Sequence, residues 1–190
     1  MTARPLRLGL VTPGFSASES DWCIPALLDL VRGLAREHDV RVLSLRYPFS
    51  RRPYRVHGAA VQPLGAGPAR GPGRFVMWAR ALRHLRAEHA RRPFDALHAL
   101  WAHEPAALAL WAGRRLGVPV LVSVLGGELE LLPDIDYGGA RGRLNRQVVA
   151  YSLRHARRLT AVAPRRAQAS GPSARSARPI TSFWISLVPS

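Results

Sequence analysis

Lysine is absent from this chain of 190 residues: all 28 basic residues are arginine, set against 12 acidic ones, for a formal charge of +16. Reliance on a single cation type points to compositional bias rather than to a surface selected for charge. The excess is also uneven, since residues 1–136 hold 18 Arg and all 12 acids while residues 137–190 hold 10 Arg and no acid. No nucleic-acid motif accompanies it, so nucleic acid is not expected as a partner. Cysteine occurs once, as Cys23, which excludes an intramolecular disulfide and a cysteine-based zinc site. With no His or Asn pattern to activate it, Cys23 is expected to be a small core or helix-start residue. No apolar run approaches the roughly 18 residues of a membrane-crossing helix. The opening Met-Thr-Ala-Arg-Pro leads into a short apolar strand rather than a signal peptide, so a cytoplasmic location is expected. A G-x-G-x-x-G turn after the first strand, a P-loop and a G-x-S-x-G elbow are all missing, which removes simple NAD, ATPase and α/β-hydrolase readings.

What is present is alternation. Leu6 to Thr12 reads as a strand, broken by Pro13-Gly14 into a loop reaching Asp21. Leu27, Leu28, Leu30, Val31 and Leu34 then recur at helical spacing within a helix from about Ile24 to Glu37. Val40 to Leu45 returns as a strand, Arg55 to Leu64 suggests a third, and Gly65 to Gly73 is too rich in Gly and Pro for regular structure. A helix over Phe75–Ala90 is expected to pack Phe75, Met77, Trp78, Ala81, Leu82 and Leu85 on the sheet, leaving Arg80, Arg83, Arg86 and Glu88 on the solvated side. A strand–helix–strand unit follows over residues 94–128, then an Arg-rich helix from Gly142 to Ala156 and a strand from Leu159 to Ala163. About six strands and four helices in this order predict an α/β, Rossmann-like doubly wound, mostly parallel sheet with helices on both faces.

The unit over residues 94–128 is the most informative stretch. Phe94–Leu100 is the first strand, Pro105 opens a helix that Gly117 closes, and Val118–Leu125 reads as a strand buried on both faces. A right-handed parallel connection puts the loops after both strands on the same sheet edge, where open α/β sheets take ligands. His103 and Glu128 are thereby candidates for one ligand. After Pro164 the pattern stops, so the chain divides into a domain over 1–164 and a tail over 165–190 that reads as disordered and basic, or as non-native sequence.

These segments together resemble the N-terminal domain of GT-B glycosyltransferases of family 4 (group 1). The resemblance covers about residues 5–164. It rests on the opening strand with its Pro-Gly loop, on Leu30-Val-Arg-Gly-Leu-Ala-Arg-Glu-His-Asp-Val-Arg-Val-Leu43, on Phe94-Asp-Ala-Leu-His-Ala-Leu-Trp101, on Gly117-Val-Pro-Val-Leu-Val-Ser-Val124 with its Gly-Gly-Glu ending, and on Leu159-Thr-Ala-Val-Ala-Pro164. It implies a domain that mainly holds the acceptor, facing a second domain that holds a nucleotide sugar as co-substrate, with no other cofactor and no metal. The implied partners are that donor and a glycan, lipid or small-molecule acceptor, with room for peripheral contact at the inner membrane face. The second domain's Glu-rich donor motif has no counterpart here. Two further positions depart from the family: a Gly-Gly pair at the first helix is replaced by Asp21-Trp22, and the strand-end histidine by Leu125, which cannot transfer a proton.

The resulting site candidates are Gly14, Trp101, His103, Gly126, Gly127, Glu128 and Arg141, with catalytic residues unassigned. Each has a plainer reading. Trp101 offers a flat face to a sugar or nucleobase, or packs in the core. His103 and Glu104 contact the ligand, or Glu104-Pro105 is an ordinary helix start. Glu128 binds a sugar hydroxyl or caps a loop, while Arg141, Arg143 and Arg146 pair with a phosphate or form a solvated face. His98 is expected to be a packed strand residue, and Asp134 and Asp136 a turn rather than a cation site. The functional expectation is a glycosyltransferase domain, inactive as the isolated chain. The alternatives are an inactive truncated fragment and a stand-alone carbohydrate- or anion-binding module.

Overall fold

The computed structural model describes residues 4–67, 71–125, 143–162 and 184–187. Its elements are β1 (Arg7–Gly14), α1 (Pro25–Leu34), β2 (Asp39–Tyr47), β3 (Tyr54–Val56), β4 (Ala59–Pro63), α2 (Pro72–Arg91), β5 (Ala96–Leu100), α3 (Glu104–Leu116), β6 (Val120–Val124), α4 (Arg143–His155), β7 (Arg158–Val162) and β8 (Trp184–Leu187). The sheet runs β3-β4-β2-β1-β5-β6-β7-β8. Its inner pairs are parallel, and the two outermost, β3 with β4 and β7 with β8, are antiparallel. This is the doubly wound, Rossmann-like architecture expected from the alternation of elements.

The strand sequences show why helices cover both faces. Consecutive residues on a strand point to opposite faces, and in β1 both Leu10 and Val11 are fully buried. Leu10 joins Leu27, Leu28 and Val31 of α1 on one side, while Val11 joins Met77, Ala81 and Leu85 of α2 and the alanines of α3 on the other. Gly117 closes α3 in the left-handed conformation, with φ 68°, which suits a residue without Cβ.

Several expectations change. β1 does not stop at Thr12 but continues through Pro13 and Gly14, because a register shift between Thr12 and Gly14 accommodates a proline that has no N–H to give the ladder. The single strand expected over Arg55–Leu64 is a hairpin, turned at His57 and Gly58 with φ of 46° and 84°. Helix α2 begins three residues early, and Phe75 is 65% exposed rather than packed on the sheet. Glu88, expected in solvent, is buried because it falls one turn beyond Ala81 and Leu85 on the inward stripe and pairs with Arg7 at 2.8 Å. Cys23 is exposed in the loop before α1. Of residues 165–190 the structure describes only Trp184–Leu187, which form the edge strand β8, as an aromatic and aliphatic run can; the remainder of that expectation lies outside the described residues.

Arg7 anchors the amino edge of the sheet. Its guanidinium donates to the Glu88 carboxylate and main-chain oxygen, each at 2.8 Å, lies 3.3 Å from Asp39, and sits 4.8 Å from the Phe94 ring centroid. All of these partners belong to element ends, so the cluster holds the bottom of β1, β2, α2 and β5 together and leaves the opposite edge for function.

Candidate functional site

The strand order reverses at β1: the chain winds outward through β2 and β4, then returns to β5 and winds the other way. The loops after β1 and β5 therefore leave the carboxyl edge in opposite directions, opening the crevice in which such sheets take ligands. Gly14 ends β1 there. A Cβ on it would lie 3.4 Å from the Tyr47 Cβ, so this glycine serves the close approach of β1 to β2.

Asp21 organises the β1–α1 loop from within. Its carboxylate accepts the backbone N–H of Ala17 at 2.6 Å and of Cys23 at 3.1 Å, and the Tyr47 hydroxyl at 3.0 Å. The hydrogen bond from Tyr47 raises the phenol's own pKa, as a neighbouring carboxylate must. Helix α1 begins only at Pro25, so Asp21 and Trp22 lie outside its first turn, and Trp22 is 73% exposed. The absence of an N–H on Pro25 and of a side-chain cap on Ile24 leaves this helix end a poorer anion site than a glycine pair would make.

On the β5 side, Trp101 adopts φ 76°, a region in which a bulky residue is strained by about 1–3 kcal/mol. Its N–H reaches the Ser123 carbonyl of β6 at 2.9 Å, and its half-buried ring packs against the core on the α1 side. The backbone reversal at Trp101 presents His103 at the N-cap of α3, where its side chain makes no capping bond. Burial pushes the His103 imidazole below its ordinary pKa; the Arg46 and Arg74 charges add to this while Glu104 opposes it. This shift favours the neutral ring, the form able to accept a proton from a hydroxyl.

Beneath His103 lies a charged knot. Glu104, 5% exposed, takes Arg46 from the end of β2 on one oxygen and Arg74 of α2 on the other, and accepts the Trp78 indole N–H at 3.2 Å. Arg74 continues to Asn145 of α4 at 3.1 Å, and Arg46 donates to the Gly67 carbonyl at 2.9 Å. Burial pushes the Glu104 carboxyl upward, but its hydrogen bonds and the two guanidinium charges outweigh that and hold it below the usual value. Glu104 is thus the partner of two arginines rather than a helix-start acid facing solvent, and the knot fixes the start of α3 against β2, α2 and α4.

His98 is packed, as expected. Its Nε2 lies 2.7 Å from the Ser123 hydroxyl, which lies 2.6 Å from that of Thr160, forming a polar rung across β5, β6 and β7. Burial lowers its pKa to about 4. Arg146 is exposed on α4. Gly126, Gly127, Glu128 and Arg141, with Asp134 and Asp136, lie outside the described residues. The structure therefore brings Gly14, Trp101 and His103 to one edge. It adds Arg46, Arg74 and Trp78, whose roles depend on partners too far along the chain for any local motif to signal, and gives Asp21 a distant partner in Tyr47 beside its local ones.

Residues 24–180 match the family of glycosyl transferase 4-like domains. No curated protein sequence matches the chain. Among solved structures it is similar to MurG of Acinetobacter baumannii, with a TM-score of 0.50 and 15% identity, covering 87% of this chain and 44% of that one. It is also similar to a sucrose-phosphate synthase from Thermosynechococcus elongatus, with a TM-score of 0.53 and 15% identity, covering 80% of this chain and 41% of that one. The chain thus spans less than half the length of either structure, and at this identity the likeness is one of fold. The domain is of the N-terminal GT-B type, and the chain belongs to the glycosyl transferase 4-like domain family.

Proposed function

We propose that this chain is the acceptor-side domain of a glycosyltransferase that moves a sugar from a nucleotide-sugar donor to an acceptor hydroxyl when joined to a donor-binding domain. The observation that carries this reading is the half-buried His103 at the N-cap of α3, next to the Glu104 knot and at the sheet's point of reversal. His103 receives or orients the acceptor hydroxyl, and Trp101 supplies an apolar surface beside it. The nucleotide sugar is a co-substrate, with no bound cofactor or metal. The reading places the chain in the cytoplasm with access to the inner membrane face. Leu125 favours a second reading, a domain that binds carbohydrate without chemistry, because an aliphatic side chain stands at the strand end.

Calorimetric titration of the chain with a panel of saccharides and with uridine and guanosine diphosphate sugars tests the first reading. Saturable saccharide binding without turnover is expected, and turnover by the isolated chain would remove the requirement for a second domain. An absence of binding to every class would overturn both readings.

A further inference from the structure

The two most exposed large apolar side chains among the described residues both stand on the ligand edge. Trp22, in the β1–α1 loop, and Phe49, in the β2–β3 loop, are 73% and 72% exposed, and each follows the carboxyl end of a strand. Neither sits on a slack loop. Asp21, beside Trp22, accepts the Tyr47 hydroxyl at 3.0 Å, and the Tyr47 ring meets that of Phe49 edge-on at a centroid distance of 5.7 Å. Two glycines support Phe49: a Cβ on Gly67 would lie 3.7 Å from its ring, and one on Gly65 would meet its carbonyl oxygen at 2.8 Å. The Gly67 carbonyl in turn accepts Arg46 of the Glu104 knot at 2.9 Å. The two rings are thus tied, through Asp21 and Tyr47, to each other and to the knot next to His103.

A ring that meets water adds little to the core, while a fixed support preorganises it for contact with a ligand. The surroundings select the occupant. The chain flanking each ring is polar, with Ser18, Ser20 and Asp21 before Trp22 and Ser50, Arg51 and Arg52 after Phe49, and the Ser18 and Ser20 hydroxyls lie 3.1 Å apart. This is not the contiguous apolar patch of a protein or lipid interface. It suits a pyranose, whose C–H face packs on an aromatic face while its hydroxyls reach hydrogen-bonding groups at the rim. The end of β2 lies two strands from that of β5, roughly 10 Å away, so a sugar on Phe49 is not the sugar whose hydroxyl reaches His103. We propose that Trp22 and Phe49 form a second saccharide subsite, so that the acceptor is an oligosaccharide whose reacting sugar sits at His103 and whose next rings lie over the ends of β1 and β2. This subsite rests on the transferase reading for its neighbour at His103 and narrows the acceptor to a chain of sugars.

The test is calorimetry of the full 190-residue chain with matched pairs: glucose and maltotriose, glucose and cellotriose, mannose and mannotriose, N-acetylglucosamine and chitotriose. In at least one pair the trisaccharide is expected to bind about tenfold more tightly than its monosaccharide, the contribution of two stacked rings. W22A/F49A should bring the trisaccharide to monosaccharide affinity and leave the monosaccharide unchanged, with circular dichroism showing the variant folded. F75A, which removes an exposed ring from α2, should bind as the parent does. No gain on lengthening in any pair, a gain kept by W22A/F49A, or an equal loss in F75A would each overturn the subsite. Monosaccharide binding that weakens in H103A, with no gain on lengthening, removes the subsite and leaves the transferase reading. A gain lost in W22A/F49A, with every sugar bound equally by H103A, removes His103 as the acceptor position and leaves a saccharide subsite at the two rings.

Discussion

Glu104 is a carboxylate whose ionisation supports the fold as well as the site. Its two arginine partners are 28% and 20% exposed, so solvent screens part of the interaction, yet removing the charge deprives both guanidiniums of their carboxylate. Glu104→Gln is expected to lower unfolding stability by about 2 kcal/mol in urea denaturation, a discounted value for a half-buried pair. Because the folded-state pKa of Glu104 is lowered, its contribution is complete above the ordinary value near 4.5 and is lost as pH falls below it. The difference between parent and variant should therefore shrink below pH 4.5. His98 acts in a higher window. With its pKa lowered from 6.5 to about 4, the folded state resists protonation, so stability is full above pH 6.5 and falls between pH 6.5 and about 4, by up to about 3 kcal/mol. His98→Asn should flatten that part of the stability–pH curve, and an unchanged slope would show that other groups produce it. At this scale the sequence expected Gly14, Trp101 and His103 near strand ends, and the structure has all three at the carboxyl edge of the sheet. The sequence could not reveal that Glu104 is spoken for, since Arg46 and Arg74 stand 58 and 30 positions away.

The strand–helix–strand unit from β5 to β6 was legible because each boundary has a local cause: Pro105 at the helix start, left-handed Gly117 at its end, and a β-branched run beyond. The β3–β4 hairpin was not, because its turn uses His57-Gly58 rather than an Asn-Gly or Asp-Gly pair and the flanking alternation reads through it. In α2 the inward phase holds at Met77, Ala81 and Leu85 and differs at two positions: buried Glu88 takes the place of an apolar residue on the inward stripe, while Phe75, expected to pack, is exposed. Element packing makes a sharp contrast between two helical glycines. A Cβ on Gly113 would meet Val120 Cγ2 at 2.4 Å and the Val118 carbonyl oxygen at 2.7 Å, and the backbone atom cannot rotate away. Gly113→Ala should thus destabilise by about 1–3 kcal/mol, overpacking exceeding the helix-propensity gain. Gly33 has nothing within 4 Å of such a Cβ, so Gly33→Ala should stabilise by about 0.5–1 kcal/mol. Thermal unfolding of the two variants checks the pair, and equal shifts would refute the close approach of α3 to β6.

Across the whole molecule, charge is sorted by edge and face. The amino edge is tied by Arg7, the carboxyl edge by Glu104, and the helices α2, α3 and α4 expose arginine but no acid among the described residues. The global charge of +16 did not disclose this order, because the surplus counted along the chain falls in its last quarter while the acids of the middle are hidden by folding. What the alternation of elements did disclose was the doubly wound sheet, whereas the transferase reading came from the resemblance of its segments to a known family. That reading rests on the carboxyl edge between β1 and β5 being where the acceptor binds. The most direct test is a backbone amide NMR titration of the chain with the monosaccharide that binds best in calorimetry, run in parallel on His103→Ala. Shifts confined to Gly14–Ser16 and Trp101–Glu104, with affinity at least about tenfold weaker in the variant, are predicted. Shifts at the Arg7 edge, or equal affinity in the variant, would contradict it.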